Sequence, residues 1–108
     1  KVLITHPEIA FINLPLAAQR ELAGPDVWFE RCFVRPGFTV DWDGLARAIR
    51  EIGVAHTVLA SDLGQPDNPA PPEGLGIMYG ELRARGLADA DLRTMMCVNP
   101  AQLLELPA

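Results

Sequence analysis

Three short apolar segments, each followed by a segment of helical periodicity, constrain the fold of this chain more than any other feature. The predicted strands are Val2 to Thr5, Val27 to Val34 and Thr57 to Ala60. Strands that alternate with helices of this size form βαβ units, whose strands are parallel. The sequence therefore predicts an α/β fold with three parallel strands, each followed by a helix.

The helices have recognisable start and stop signals. Asn13 is predicted to cap the first helix, and Asp41 to cap the second. The second helix carries an apolar stripe at i, i+3, i+4 and i+7 and ends at Gly53. A third helix is expected to begin at Pro71. Two C-terminal helices complete the pattern, and Asn99 is predicted to cap the last of them.

Composition restricts the class of protein and its partners. The 108 residues are enough for one domain or part of one, and 49% of them are hydrophobic, which excludes a disordered or fibrous chain. A net charge of −5 argues against nucleic acid or an anionic membrane as the main partner. No apolar segment is long enough to span a bilayer. Cys32 and Cys97 form no disulfide framework, so we expect two buried thiols in a cytoplasmic protein.

The start of the chain suggests that it belongs to something longer. Lys1 leads directly into the apolar residues of the first predicted strand, and a natural domain rarely opens inside a core strand. We therefore expect residues 1–108 to be a single-domain fragment, the back portion of a larger protein. Three parallel strands leave two open sheet edges, so the remainder of that protein or a second copy is expected to complete the sheet.

Polar residues end two of the predicted strands. His6 lies on the same side of its strand as Ile4, and Asp62 on the same side as Ala60. If these two sides line one interior, an imidazole and a carboxylate converge at the carboxyl edge of the sheet, where ligands and catalytic groups collect. Both groups are good zinc ligands, but a catalytic zinc ion needs three protein ligands, so others would have to come from elsewhere.

Simpler explanations exist for each of these residues. A single histidine at a strand end is usually a hydrogen-bonded loop residue, and Asp62 is equally suited to capping the backbone of its own loop. The loop from Asp62 to Glu73 is long and rich in proline, as lids and binding segments often are. Within it, Gln65 and Asn68 either bind a substrate or satisfy the loop backbone.

Two blocks of the sequence resemble a known family. Residues Ile49 to Gln65, which include a strand ending in Ser61-Asp62, resemble the last-strand segment of metal-dependent hydrolases of the amidohydrolase superfamily. Asn99 to Leu106 resembles the terminal helix of the same proteins, and His6 has a place similar to a metal-binding or substrate-facing histidine earlier in the barrel. The whole pattern is most similar to a bacterial branch of that superfamily.

The resemblance implies a (β/α)8 TIM-like barrel, of which this chain supplies the C-terminal part with the last three strands. It implies that Asp62 binds a divalent metal ion, zinc being the expected one, or acts as general base on the hydrolytic water. His6 is a second implied metal ligand, and Gln65 and Asn68 are expected to contact the substrate. The His-x-His motif of the family's first strand is absent, so this chain alone is expected to be inactive.

Two functions follow from these observations. The first is a metal-dependent hydrolase of the amidohydrolase type, which activates water for attack on the amide, ester or lactone carbonyl of a small molecule. The second is a non-catalytic α/β module that completes a sheet with a partner or with a second copy of itself. An apolar chain with unpaired sheet edges is compatible with either function.

Overall fold

A computed structural model describes residues 1–107, and its elements follow the predicted alternation. The elements are β1 (Val2–Thr5), α1 (Leu16–Leu22), β2 (Val27–Cys32), α2 (Trp42–Ile52), β3 (Thr57–Ala60), α3 (Pro71–Ala84), α4 (Asp89–Arg93), a π-helical turn (Thr94–Val98) and α5 (Asn99–Leu103). The sheet is parallel, with strand order β1-β2-β3. The prediction of an α/β fold with three parallel strands, each followed by a helix, is confirmed.

The first two of the three predicted helix caps have different outcomes. The Asp41 carboxylate accepts a hydrogen bond from the Gly44 N–H at 2.8 Å, so α2 begins where the sequence indicates. Gly53 ends the same helix with a φ of 107°, a conformation that is strained for residues with a Cβ. Asn13, in contrast, is not a cap. It closes a turn of the β1–α1 loop with a φ of 41°, and Pro15 precedes the first turn of α1.

The second strand is shorter than its sequence predicts. β2 ends at Cys32 rather than Val34, and Cys32 lies beside Ala60, the last residue of β3. An apolar segment continues as a strand only while a neighbouring strand accepts its backbone hydrogen bonds. β2 and β3 therefore end together, after a last bond from the Phe33 N–H to the Ser61 carbonyl at 3.4 Å.

One face of the sheet is covered by helices. Ile4, Phe29 and Thr57 lie side by side in the three strands, and Leu59 shares their face. Leu59 belongs to a core cluster that also contains Phe33, Leu45, Ile49, Met78, Leu82, Leu92 and Met95. The apolar stripe of α2 supplies Leu45 and Ile49, as its periodicity predicts.

Alternation along β2 forces either Glu30 or Arg31 toward the helices. It is Arg31 that faces them; its side chain is completely buried and forms an ion pair with Glu8 at 3.0 Å. Glu30 lies half-buried on the opposite face. A charged pair thus occupies a core position beside β1 and β2.

The C-terminal helices form one structural unit rather than two separate helices. α4, the π-helical turn and α5 follow one another without a break. Asn99 does not cap α5, because its side-chain amide donates hydrogen bonds to the carbonyls of Thr57 at 2.7 Å and Val54 at 2.8 Å. At the last residue of α5, the Lys1 ammonium donates a hydrogen bond to the Leu103 carbonyl at 3.3 Å. The segment therefore connects the amino-terminal ends of β3 and β1.

Candidate functional site

The residues predicted to carry the chemistry follow the carboxyl ends of β1 and β3, at one edge of the parallel sheet. His6 and Asp62 both have a left-handed backbone, with φ of 35° and 50°. This conformation costs a residue with a Cβ roughly 1–2 kcal/mol. Asn13 and Glu105 share it, so backbone strain does not by itself single out a functional residue.

His6 extends the backbone ladder of β1 by one residue. Its N–H donates to the Glu30 carbonyl at 2.8 Å. The half-buried imidazole lies edge-on to Phe11, with the ring centroids 6.2 Å apart. Its Nδ1 is buried and has no hydrogen-bond partner within residues 1–107. The simpler explanation, a hydrogen-bonded loop residue, therefore accounts for the backbone of His6 but not for its ring.

His6 and Asp62 were expected to converge on the condition that the side of β1 with Ile4 and the side of β3 with Ala60 belong to one face of the sheet. Ile4 lies beside Phe29, whereas Ala60 lies beside Cys32, and Phe29 and Cys32 point to opposite faces of β2. The side of β1 that carries Ile4 and the side of β3 that carries Ala60 therefore do not line one interior. The condition is therefore not met, and the prediction is wrong on this point. The sequence of a strand shows which of its residues share a side, but not how the strand aligns with its neighbours.

Asp62 is paired with a residue that the sequence did not single out. One of its carboxylate oxygens lies 3.5 Å from Nη2 of Arg35, which follows the end of β2. The Asp62 side chain is 43% exposed and that of Arg35 is 17% exposed. A pair this exposed contributes at most about 1 kcal/mol to stability, so its main effect is to orient both side chains.

The loop after β3 is held by the two amides predicted to bind substrate. Gln65 Nε2 donates to the Asp62 carbonyl at 3.1 Å, and Asn68 Nδ2 donates to Gln65 Oε1 at 3.2 Å. Leu63 anchors the beginning of this loop against α3, where a Cβ on Gly74 would overlap its side chain. The structure thus brings Asp62, Gln65 and Asn68 together, and it uses both amides to satisfy the loop.

A small pocket opens beside this loop, and we call it the rim pocket. Its volume is about 290 Å³, at the lower end of small-molecule sites. It is lined by Arg35, Pro36, Phe38, Gln65, Asp67 and Asn68. The Arg35 guanidinium lies over the Phe38 ring, 5.6 Å from its centroid. The pocket therefore combines a planar cation, an aromatic ring and amide groups.

Arg35 and Phe38 are the residues of the rim pocket that sequence reasoning missed. The signal that identified Asp62, a polar residue directly after a buried strand, also applies to Arg35 in Val34-Arg35-Pro36. Contact between Arg35 and Asp62 depends on β2 and β3 being neighbours in the sheet, which the sequence does not state.

The residues of the rim do not form a metal centre by themselves. Residues 1–107 contain no group of three or more His, Cys, Asp or Glu side chains placed to hold a metal ion. The nearest charged neighbour of Asp62 is a guanidinium, which cannot be a ligand. The metal ion implied by the resemblance therefore does not fit His6 and Asp62 alone, and no chemical step is derived through it.

The fold and the rim define an α/β protein with a polar pocket at the carboxyl edge of a parallel sheet. No protein-family model matches the chain, and comparisons with curated proteins and with solved structures give no significant match. Within residues 1–107, no helix is both long enough and apolar enough to cross a membrane.

Proposed function

We propose that this chain is part of a hydrolase that binds a small molecule in the rim pocket and uses Asp62 to activate water. The observation that carries this proposal is the position of Asp62: its half-exposed carboxylate follows the carboxyl end of β3, beside a pocket that the loop after it lines. A carboxylate in this position can accept a proton from water. Because it lies beyond the end of β3, this role requires no change in the strands.

Four of the residues that line the rim pocket have a part in this proposal. The Arg35 guanidinium orients Asp62 and is a hydrogen-bond donor toward a carbonyl oxygen, while Phe38 provides an apolar wall. Gln65 and Asn68 hold the wall that contacts the substrate. The expected reaction is hydrolysis of an amide, ester or lactone.

The resemblance to the amidohydrolase superfamily extends the proposal. It adds a (β/α)8 barrel, to which β1, β2 and β3 contribute the last three strands, and a divalent metal ion, expected to be zinc, with Asp62 and His6 among its ligands. The ligand set needs groups beyond those two. The two free thiols accord with the proposed cytoplasmic location.

Substitution of Asp62 tests the hydrolase proposal. In the intact protein, we expect Asp62→Asn to lower kcat by about 100-fold or more on a panel of p-nitrophenyl esters, lactones and small amides, because an amide cannot accept the water proton. Circular dichroism should be unchanged, since an exposed ion pair contributes little stability.

Asp26→Asn is the matched control for this experiment. Asp26 is an exposed residue in the loop before β2, at the amino ends of the strands and away from the rim pocket. Its backbone carbonyl accepts a hydrogen bond from the Val2 N–H, and its carboxylate takes no part in this contact. The Asp26→Asn variant should have the same activity as the unmodified protein. Unchanged turnover in Asp62→Asn would refute the proposal.

A second candidate function rests on the outer edge of the sheet. β1 is an edge strand whose Val2 and Leu3 side chains are 54% and 41% exposed. An exposed apolar edge strand offers unpaired backbone groups to another strand. This favours the alternative of a non-catalytic α/β module that completes its sheet with a partner or a second copy.

A further inference from the structure

One wall of the rim pocket carries an exposed aromatic ring. Phe38 and Pro36 form this wall, and Phe38 is 61% exposed. Removing a large apolar side chain from water is favourable, so a ring that is exposed at a pocket gains when a ligand covers it. The groups around the ring indicate which ligand chemistry fits.

The backbone on which this ring is carried is fixed from both sides. The Phe38 N–H donates to the Arg35 carbonyl at 2.9 Å, and the Phe38 carbonyl accepts from the Ala10 N–H at 2.6 Å. The turn passes through Gly37 with a φ of 82°, a conformation that glycine adopts without strain. Thr39 Oγ1 closes it by accepting from the Arg35 N–H at 3.0 Å. The ring is thus positioned before a ligand binds, which lowers the entropy cost of binding.

The Arg35 guanidinium places hydrogen-bond donors beside the ring. Its Cζ lies over Phe38, 5.6 Å from the ring centroid, and most of the ring surface stays accessible. A guanidinium carries five N–H donors, and the contact with Asp62 involves Nη2 alone, at 3.5 Å. The Arg35 side chain is 17% exposed and lines the pocket. A ligand that covers the ring therefore has a donor close to it.

The charges around the pocket favour a neutral ligand. Arg35 supplies positive charge, whereas Asp67 lines the pocket and Asp62 pairs with Arg35. A carboxylate or a phosphate ester would meet two carboxylates for one guanidinium, in a chain whose net charge is −5. A cationic ligand would compete with Arg35, which already occupies the position of a cation against Phe38.

A planar ring fits these neighbours better than a saturated one. Aromatic rings attract each other in offset or edge-on contact, because the negative face of one meets the positive edge of the other. A guanidinium also stacks on planar groups. A saturated ring gains only from apolar burial. The pocket volume of about 290 Å³ equals that of about ten water molecules at about 30 Å³ each, which is room for one ring with a carbonyl substituent.

We propose that the rim pocket is selective for neutral aromatic carbonyl compounds, with the ring against Phe38 and the carbonyl oxygen accepting a hydrogen bond from Arg35. For the reaction, this inference rests on the hydrolase proposal, whose substrate class it narrows to esters, amides or lactones with an aromatic acyl group. The binding step does not depend on it, since the ring and the carbonyl are recognised whether or not Asp62 activates water.

Ketones test binding separately from hydrolysis, because they have a carbonyl but no leaving group. The probes are acetophenone, cyclohexyl methyl ketone and benzoate, titrated into the intact protein and followed by ligand-observed NMR. We expect acetophenone to bind with a dissociation constant on the order of 1 mM and about five-fold more tightly than the saturated ketone. Five-fold corresponds to about 1 kcal/mol, the size of one aromatic contact. Benzoate, which adds a negative charge, should bind more weakly than acetophenone.

Phe38→Leu tests whether the preference comes from this ring. It keeps an apolar side chain at an exposed position, so the fold should remain, and the two ketones should then bind equally within about two-fold. Phe38→Tyr retains a ring and should retain the preference. Phe11→Leu is the matched control: Phe11 is 80% exposed and does not line the rim pocket, so the preference should be unchanged.

Hydrolysis carries the same preference into turnover. The ratio of kcat/KM for methyl benzoate to that for methyl cyclohexanecarboxylate should fall about five-fold in Phe38→Leu relative to the unmodified protein. Comparing this ratio between the two proteins cancels the difference in intrinsic reactivity of the two esters.

Three results would overturn the inference. The first is that acetophenone does not bind, or binds no more tightly than the saturated ketone. The second is that benzoate binds as tightly as acetophenone. The third is a preference that Phe38→Leu leaves unchanged or that Phe11→Leu lowers as much. Failure of the hydrolase proposal looks different: turnover is unchanged in Asp62→Asn, and the ketone preference persists.

Discussion

The two cysteines show how strongly the fold sets the chemistry of a single residue. Both are free thiols, but Cys32 in β2 is buried whereas Cys97 is exposed in the π-helical turn. The expectation of two buried thiols is therefore wrong for Cys97. Burial raises the pKa of the Cys32 thiol to about 12, and the nearby charges of Glu30 and Asp62 add to the rise.

We predict that the folded protein has one reactive thiol. The thiolate is the attacking species, so at pH 8 Ellman's reagent should modify Cys97 at least about 100-fold faster than Cys32. Cys97→Ser should remove the fast phase, and Cys32→Ser should leave it. Equal rates for both thiols in the native protein would contradict the burial of Cys32.

The same thiol should make stability depend on alkaline pH. The unfolded thiol ionises near its ordinary pKa of 9.0, whereas the folded one keeps its proton to about 12. Between these values the folded state binds more protons, so the Cys32 contribution to the free energy of unfolding falls as pH rises, by about 1.4 kcal/mol per pH unit. In a Cys32→Ala variant, this part of the decrease in the free energy of unfolding with rising pH should be absent.

Among the elements, the C-terminal segment shows where local signals fail. Asn99 precedes Pro100, which is a common capping arrangement, and the sequence predicts a cap on that basis. Its amide instead bonds to carbonyls of Val54 and Thr57, more than 40 residues away. A cap is a local interaction that sequence can suggest, whereas this contact exists only when the segment packs against β3.

We predict that Asn99→Ala lowers the free energy of unfolding by about 2 kcal/mol, because two buried carbonyls lose a donor at about 1 kcal/mol each. Asn99→Asp should cost more, since it places a buried carboxylate against two carbonyl oxygens. Urea unfolding measures both changes. Gln102→Ala, an exposed position on α5, is the control and should change stability by less than about 0.5 kcal/mol.

For the whole molecule, the two candidate functions differ in what completes the open edge of the sheet. Size-exclusion chromatography combined with metal analysis distinguishes them. The extension of the hydrolase proposal that rests on the resemblance predicts zinc in the intact protein and loss of hydrolysis after chelation. A stable metal-free oligomer of this 108-residue chain would support the module instead. In that case Leu3→Lys should dissociate it, because a charge on an edge strand opposes pairing.

The sequence by itself determined the order of strands and helices, the Asp41 cap, the glycine stop at Gly53 and the position of Asp62 after β3. These features depend on neighbours within a few residues, so local propensity and periodicity are enough to predict them. Only the tertiary structure decided that Asp62 contacts Arg35, that Asn99 holds β3, and that the sides of β1 and β3 expected to continue to His6 and Asp62 lie on opposite faces of the sheet. Those outcomes depend on strand register and packing between distant segments, which no local pattern encodes.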